Sequence, residues 1–439
     1  MRRKEIKMKN FYTPNCPECI GKTDSESIQN AVNMAKKTGV DKVVIPRVNE
    51  RTNSCEWIID VAILLPSDIQ IVLDNCHLIQ ATGCFDNVFR NENFYNEEIC
   101  RTLAGEQRNI HITGIGNALI DGGVHNGITE ENHKRTDPNL PHVQVNNMIL
   151  FHNVDSFSIT GLHIKDQRWW AMHMQYCTNG LFENISFDTN NEYPNRDGID
   201  LRVGCHHIII KDIFGYCGDD VIALSAFGGN RNARSVEGKS PDIHHVHIRD
   251  VIACSTQYAT VGIRNNDGIK IYDVTVDSIT DISDGVKANP LNQIRIGQKG
   301  FGKHNELGEL SRLYINNLHV NHGAGVMINL TLSDSKISNI FVGEHARSAV
   351  TTATRMEDFK PGAVMRNVTF DGIYCDPNNN SEEALIELLM GKYYNIIDSR
   401  FAAVQVDMEE YLENVVFKNV STSKENVVYS QYEGGFVVE

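Results

Sequence analysis

A short pattern recurs along this 439-residue chain: an apolar residue, any residue, then Asn, Asp or Gly, then another apolar residue. Phe182-Glu183-Asn184-Ile185, Ile210-Lys211-Asp212-Ile213 and Ile248-Arg249-Asp250-Val251 carry it. So do Ile271-Tyr272-Asp273-Val274, Ile315-Asn316-Asn317-Leu318, Ile337-Ser338-Asn339-Ile340 and Phe417-Lys418-Asn419-Val420. From Gly161 the third positions fall at 161, 184, 212, 250, 273, 317 and 339, at intervals of 23, 28, 38, 23, 44 and 22. A base period of 22–23 with insertions describes coils of a solenoid whose loops vary on one side. Asn, Asp and Gly suit the bends, because they tolerate left-handed backbone. Short strands joined by turns, with no helices between them, predict an all-β parallel β-helix. An antiparallel sandwich has no need of a fixed spacing.

One helix is signalled, at 24–38. Thr23 and Glu26 have the spacing of a capping box, Ile28, Ala31, Val32 and Ala35 follow at helical period, and Gly39 supplies the stop. Val43-Val44-Ile45-Pro46 then reads as a buried strand, so the helix is expected to cap the N-terminal end of the solenoid. The predicted organisation is an extension over 1–20, one β-helix domain with its cap over 21–420, and a tail over 421–439.

Lys and Arg number 41 against 56 Asp and Glu, a net charge of −15. That balance argues against nucleic acid and anionic membrane surfaces as partners, which ask for a basic face. No apolar run is long enough to span a membrane, and Met1–Asn10 lacks the apolar stretch of a signal peptide. The eleven Cys are odd in number and scattered, with a single CxxC at Cys16 and Cys19. The expectation is a reduced, cytoplasmic chain with no metal and no cofactor. Self-association is left open.

Equivalent residues on adjacent coils stack about 4.8 Å apart, so offsets in sequence become neighbours in space. Asp197-Gly198-Ile199-Asp200-Leu201 and Asp220-Val221-Ile222-Ala223-Leu224 match in their apolar residues. Asp197 then lies over Asp220 and Arg196 over Asp219. Three carboxylates, Asp197, Asp219 and Asp220, are predicted to meet on two coils. Like charges so close push one pKa up, the condition for a general acid at neutral pH. The preceding coil places Trp170 beside Asp197 and His173 beside Asp200. The following coils bring Tyr258 and Ala259, then Asn292, into the carboxylate columns, with Arg264 in the column of Arg202 and Arg295 facing outward. Trp169, Trp170, Tyr258, Arg196, Arg202, Arg264 and Arg295 thus flank the acidic cluster. Aromatic faces and Arg forks are the groups that hold sugars and carboxylates.

The stretch WWAMHMQYCTNGLFENISF, with NRDGIDLRVG and YCGDDVIAL after it, resembles the polygalacturonase-like glycoside hydrolases of family 28. The segments from Trp169, from Asn195 and from Gly218 are similar to that family's W-x-x-H-x-x-x-C, N-T-D-G-I-D and G-D-D motifs. The resemblance implies the right-handed, single-stranded β-helix of the pectin-lyase-like superfamily. It also implies hydrolysis of an oligo- or polysaccharide, uronic-acid-containing ones among the substrates expected, by an Asp-based inverting mechanism. Asp197, Asp219 and Asp220 match the family's catalytic aspartates, and the roles expected are Asp220 as general acid with Asp197 and Asp219 sharing the base function. Trp169, Trp170, His173, Asn195, Arg196, Arg202, Tyr258, Arg264 and Arg295 are the expected substrate-binding set. Three departures stand out. No His accompanies Tyr258-Ala259-Thr260, Gly297 replaces the Lys of an R-I-K motif, and Arg196 stands where the family has Thr. The competing expectations are a β-helix fructotransferase and a uronate lyase, the latter with Arg264 or Arg295 as base. The segments 80–107 and 125–147 are expected to wall off one end of the cleft.

Overall fold

The computed structural model describes residues 10–129, 132, 142–227, 234–266, 268–297, 305–329, 331–353, 362–390, 393–397, 400–404 and 410–439. Its coils turn where single residues enter the left-handed region. Asn184, Asp212, Asp250, Ser278, Asn317 and Asn339, at φ between 54° and 59°, form one column of such bends. Five residues earlier in each coil runs a second column: Asn179, His207, His245, Asp273, Arg312, Asp334, Asn367 and Asn414. Asp273 therefore belongs to the second column, and Ser278 holds the place in the first that the repeat gave to Asp273. The slip has a simple cause. Ile271-Tyr272-Asp273-Val274 satisfies the pattern, whereas the true bend at Val276-Asp277-Ser278-Ile279 carries Ser in the third position and falls outside it, and Asp suits either bend. Side chains in the columns bond along the axis: Asn109 Nδ2 donates to Asp68 Oδ1 at 2.6 Å, Asn367 Nδ2 to Asp334 Oδ1 at 2.9 Å and Asn414 Nδ2 to Asn367 Oδ1 at 2.9 Å.

The strands between bends make two long parallel sheets. One has sixteen strands and is bent at the two columns; the other has twelve and runs from Ile63–Leu65 to Val428–Ser430. The parallel β-helix expected from the repeat is the fold. Between the sheets, Phe182, Ile210, Ile248 and Ile315 of the first, all 1% exposed or less, face Met172, Ile199, Ile222, Val261 and Ile294 of the second, all at 0%. Each such side chain contributes about 1.5–3 kcal/mol by leaving water, so the core is a continuous rod of Ile, Val and Phe rather than a local cluster.

The helix spans Asp24–Thr38, as its signals predict. Thr23 Oγ1 accepts from Glu26 N, and Gly39 closes the helix at φ 71°. The Glu26 carboxylate reaches one residue further than a capping box requires, to Lys22 N at 2.6 Å. Ile28, Ala31, Val32 and Ala35 are fully buried in the same core as Val43, Ile45, Ile63 and Leu65, and so cover the open end of the rod. At the other end, Val428–Ser430 pairs with Ile386–Leu389, and Phe436–Val438 with Glu410–Ser421. The residues set apart as a tail thus add a last strand to each sheet. These strands are only three residues long and mostly exposed, so they carry no periodic signal. The eleven cysteines are free thiols. Among the described residues no helix is long and apolar enough to cross a membrane.

Candidate active site

The twelve-stranded sheet carries Met172–Gln175, Ile199–Arg202, Ile222–Ala226, Ala259–Asn265 and Asn292–Ile296 as successive neighbours. Their register is the one the apolar residues dictate: Met172, Ile199, Ile222, Val261 and Ile294 align. With the apolar residues inward, two outward columns follow. One is His173, Asp200, Ala223, Gly262 and Arg295; the other contains Arg202, Ser225 and Arg264. Just ahead of the strands, Gly198 N donates to Asp220 O at 3.0 Å and Asp219 N to Arg196 O at 3.2 Å. This fixes the two acidic segments side by side.

Oxygens of Asp197, Asp219 and Asp220 lie within 4.8 Å of one another. Asp197 and Asp220 are buried, at 1% and 0% exposure, and Asp219 is half-buried. The three carboxyls are not equivalent. Asp220 Oδ1 accepts from Ala259 N at 3.1 Å, and its Oδ2 lies 2.9 Å from Arg264 Nη2. The same guanidinium stands 3.9 Å from Asp197 Oδ2 and donates through Nε to Ser225 Oγ at 2.9 Å. Among the described residues, Asp219 Oδ1 accepts a local bond alone, from Asp220 N at 2.9 Å. Burial, then the charge of Asp220, raises the Asp219 carboxyl to about 7, against the opposing pull of Arg264. Burial, and after it Asp219, Asp200 and Asp220, pushes Asp197 well above the usual carboxylate range. Burial works against the Arg264 cation, yet the surrounding carboxylates, Asp220 first, outweigh it and hold the guanidinium more firmly protonated than usual. Three carboxylates this close are also a set that could hold a metal ion; the cation found against them is Arg264.

A fourth carboxylate, Asp200, completes the site and was read from sequence only as a neighbour of His173. It is fully buried, and neither of its oxygens has a hydrogen-bond partner among the described residues. Burial raises its pKa well above the usual range, opposed by Arg264 and Arg202. His173 does not pair with it. The imidazole, fully buried, has Nδ1 3.2 Å from Asn147 Oδ1 and Nε2 2.9 Å from Gln175 Nε2. Burial, and then Arg202, holds it neutral. It is braced by two amides rather than offered to a ligand.

The two tryptophans stack on each other, with ring centroids 4.1 Å apart, and pack with Ile128 and Val143. At 1% and 8% exposure, Trp169 and Trp170 form a packed wall and not the open stacking faces expected. Segments outside the repeat fold over them, which the coil arithmetic does not describe. Arg202 is buried with its guanidinium 5.3 Å over the Trp170 ring and 5.4 Å over Phe227. Arg196 turns to Asn190 Oδ1 at 2.7 Å and over the Tyr193 ring at 4.9 Å. Asn195 takes a left-handed turn at φ 59° and is half-buried. Arg295 and Tyr258 are both half-buried and adjacent, the guanidinium 5.9 Å from the ring centroid. Both stay open to a ligand next to Asp219.

The long segments do lie over one end of this sheet. Asn87 Nδ2 donates to Gln144 O and Asn147 O, Asn147 Nδ2 to Trp170 O, and Arg234 bonds both Gln175 and Glu97. Residues 130–131 and 133–141 of the second segment fall outside the described residues.

Gly262 was also missed. A Cβ there would stand 2.5 Å from Asp220 Oδ2, so this coil brings backbone against the carboxylate where any other residue would push it away. A glycine between Val261 and Ile263 inside a strand is the available signal for such an approach. Gly262→Ala is expected to displace the Asp220 carboxylate from Arg264 and lower turnover by about tenfold to a hundredfold, the usual scale for a misplacement near 1 Å. Glycosidase assays beside a thermal melt check this. A melt lowered without a turnover defect would contradict it.

Residues 91–239 match the sequence profile of glycosyl hydrolases family 28. No curated protein matches the chain by sequence. Among solved structures, the catalytic domain of a GH87 α-1,3-glucanase is similar at a TM-score of 0.56 with 12% identity, over 94% of this chain and 66% of the other. The family 28 exopolygalacturonase of Yersinia enterocolitica aligns at a TM-score of 0.47 with 13% identity, over 98% of this chain and 77% of that one. The polygalacturonase of Erwinia carotovora ssp. carotovora aligns at 0.43 with 14% identity, over 100% and 99%. The likeness to the glucanase at that identity speaks for the fold, while the profile match spans the segment that holds all four aspartates. The match covers less than half of the chain: residues 91–239 are similar to glycosyl hydrolases family 28, and the structure carries them on a parallel β-helix.

Proposed function

We propose that the chain hydrolyses glycosidic bonds of a pectin-type, uronic-acid-containing poly- or oligosaccharide, with Asp219 as general acid and Asp197 and Asp220 activating water. The observation that carries this is the division of labour within the trio. Asp219 is the half-open carboxyl raised to about 7, whereas both oxygens of Asp220 already face donors, Ala259 N and the Arg264 cation. With both oxygens of Asp220 engaged by donors, the acid role expected of it is proposed for Asp219 instead. In the step proposed, the Asp219 proton goes to the leaving glycosidic oxygen as the C–O bond breaks. Asp197 and Asp220 take a proton from the water that attacks the anomeric carbon, and a new reducing end results. Arg295 beside Tyr258 supports a carboxylate-bearing sugar, since an Arg fork suits that group.

The stereochemistry has a second reading. Nearest oxygens within 4.8 Å are closer than the ~6.5–9.5 Å usual for inversion and nearer the ~5–5.5 Å of retention. The family resemblance and the burial of both Asp197 and Asp220 favour a shared water over a carboxylate nucleophile.

The test is product analysis on polygalacturonate and a panel of plant oligosaccharides, with proton NMR of the first-formed anomer. New reducing ends of inverted configuration are expected. Retained configuration would move one Asp to the nucleophile role. Unsaturated uronate products would indicate elimination, and cyclic difructose would indicate fructosyl transfer; either would overturn hydrolysis. Elimination would also have to do without Arg264 as base, because the carboxylates around it hold its proton.

A further inference from the structure

The two coils that carry the acidic site also carry, where their strands enter the long sheet, a histidine pair each: His206-His207 and His244-His245. The pairs are in register, His206 opposite His244. The His206 and His244 rings stack with centroids 4.6 Å apart and planes 5° from parallel, and His207 lies over His245 at 4.7 Å and 9°. Within each pair the Nδ1 atoms approach each other, to 2.8 Å in the first and 2.7 Å in the second. Two neutral imidazoles can sit so close only by sharing one proton between a donor and an acceptor nitrogen.

From these nitrogens we infer a binding site for a late first-row divalent transition metal, clamping the two coils through His206, His207 and His244, with His245 in reach as a further ligand. Ring nitrogens of the first three lie within 4.8 Å of one another, a separation that rotamer adjustment of exposed rings closes around one ion. His206 and His244 are half-buried and their partners exposed, so the site is open to solvent and keeps room for water ligands. A metal takes neutral imidazole nitrogens as ligands, and each of these rings offers one. Asp242 and Asp273 add negative charge near His244, while Lys239 opposes beside His206. An all-imidazole donor set selects Zn²⁺, Ni²⁺ or Cu²⁺ and rejects the oxygen-seeking Ca²⁺ and Mg²⁺. His207 and His245 occupy left-handed bends, at φ 56° and 52°, which other coils fill with Asn179, Asn367 and Asn414. Asn can therefore replace either histidine without disturbing the turn.

The experiment is calorimetric titration of untagged, chelator-stripped full-length protein with ZnCl₂ and NiCl₂, with CaCl₂ as the control. One Zn²⁺ or Ni²⁺ per chain is expected, with no heat from Ca²⁺. His207→Asn with His245→Asn should weaken binding by at least ~10-fold, the smallest cost usual for disturbing a metal's partners. His206→Asn with His244→Asn should abolish it. No binding by the wild type, equal binding by the folded His207→Asn/His245→Asn variant, or equal response to Ca²⁺ would each overturn the site.

Discussion

Asp219→Asn is expected to lower kcat/KM by about 10²–10⁴-fold, the range by which a positioned general acid accelerates a reaction. The loss should fall on kcat. The same change should leave the fold intact, because the amide oxygen can still accept from Asp220 N, the bond that Oδ1 makes at 2.9 Å. It also removes one of the like charges that raise Asp197, so the thermal midpoint should hold or rise. Reducing-end assays and a melt on the same preparation check both halves. Turnover within about threefold of wild type on a cleaved substrate would show that Asp219 does not deliver the proton. A collapse in both activity and stability would mean that the residue is architectural.

Arg264→Gln should be the most destabilising single change near the site. Asp197, Asp200 and Asp220 are each 1% exposed or less, and Arg264 is the cation against them. Removing one partner of a buried ion pair costs about 3–5 kcal/mol, because the other charge is left uncompensated. The loss depends on pH. Asp197, Asp200 and Asp219 are already raised in the folded protein, so above the unfolded carboxylate pKa the native state holds more protons than the unfolded one. Stability from this cluster is therefore greatest in acid and falls as pH rises through the folded values. Without Arg264 those values move further up. The variant should lose less at about pH 5, where the carboxyls can protonate, than at about pH 8. Denaturant unfolding at the two pH values checks this, and an equal loss at both would contradict the pairing.

The sequence carried the coil period, the register and the acidic trio, and each rests on a local rule: apolar residues must face the core, and stacked coils must match them. Asp197, Asp219 and Asp220 were found because the register alone brings them together. What the register does not specify is where a long side chain goes once it leaves the strand. Arg264 was placed correctly in the column of Arg202 and Ser225, but its reach to Asp220 runs diagonally between columns. The acid role proposed for Asp219 rests on that reach, which order along the chain does not describe. Trp169 and Trp170 were expected open because the segments carrying Ile128 and Val143 obey no repeat. Asp200 was overlooked because one carboxylate beside one histidine looks like a structural pair. Only the amides of Asn147 and Gln175 on His173 show that it is not. Gly262 and the two bends per coil were visible as residue types, but their meaning depended on which neighbour approached.

The pH dependence of kcat/KM on the best-cleaved oligosaccharide tests the central claim most directly, because it reports ionisations in the free protein. Asp197, Asp200 and Asp219 are raised together by burial and by one another's neighbourhood, so the profile gives values for the cluster. With Asp219 donating the proton, activity should fall on an alkaline limb with a midpoint near the value of about 7 to which its carboxyl is raised. That limb should be lost from whatever activity remains in Asp219→Asn. A rate that stays level from about pH 6 to about pH 9 would contradict the account.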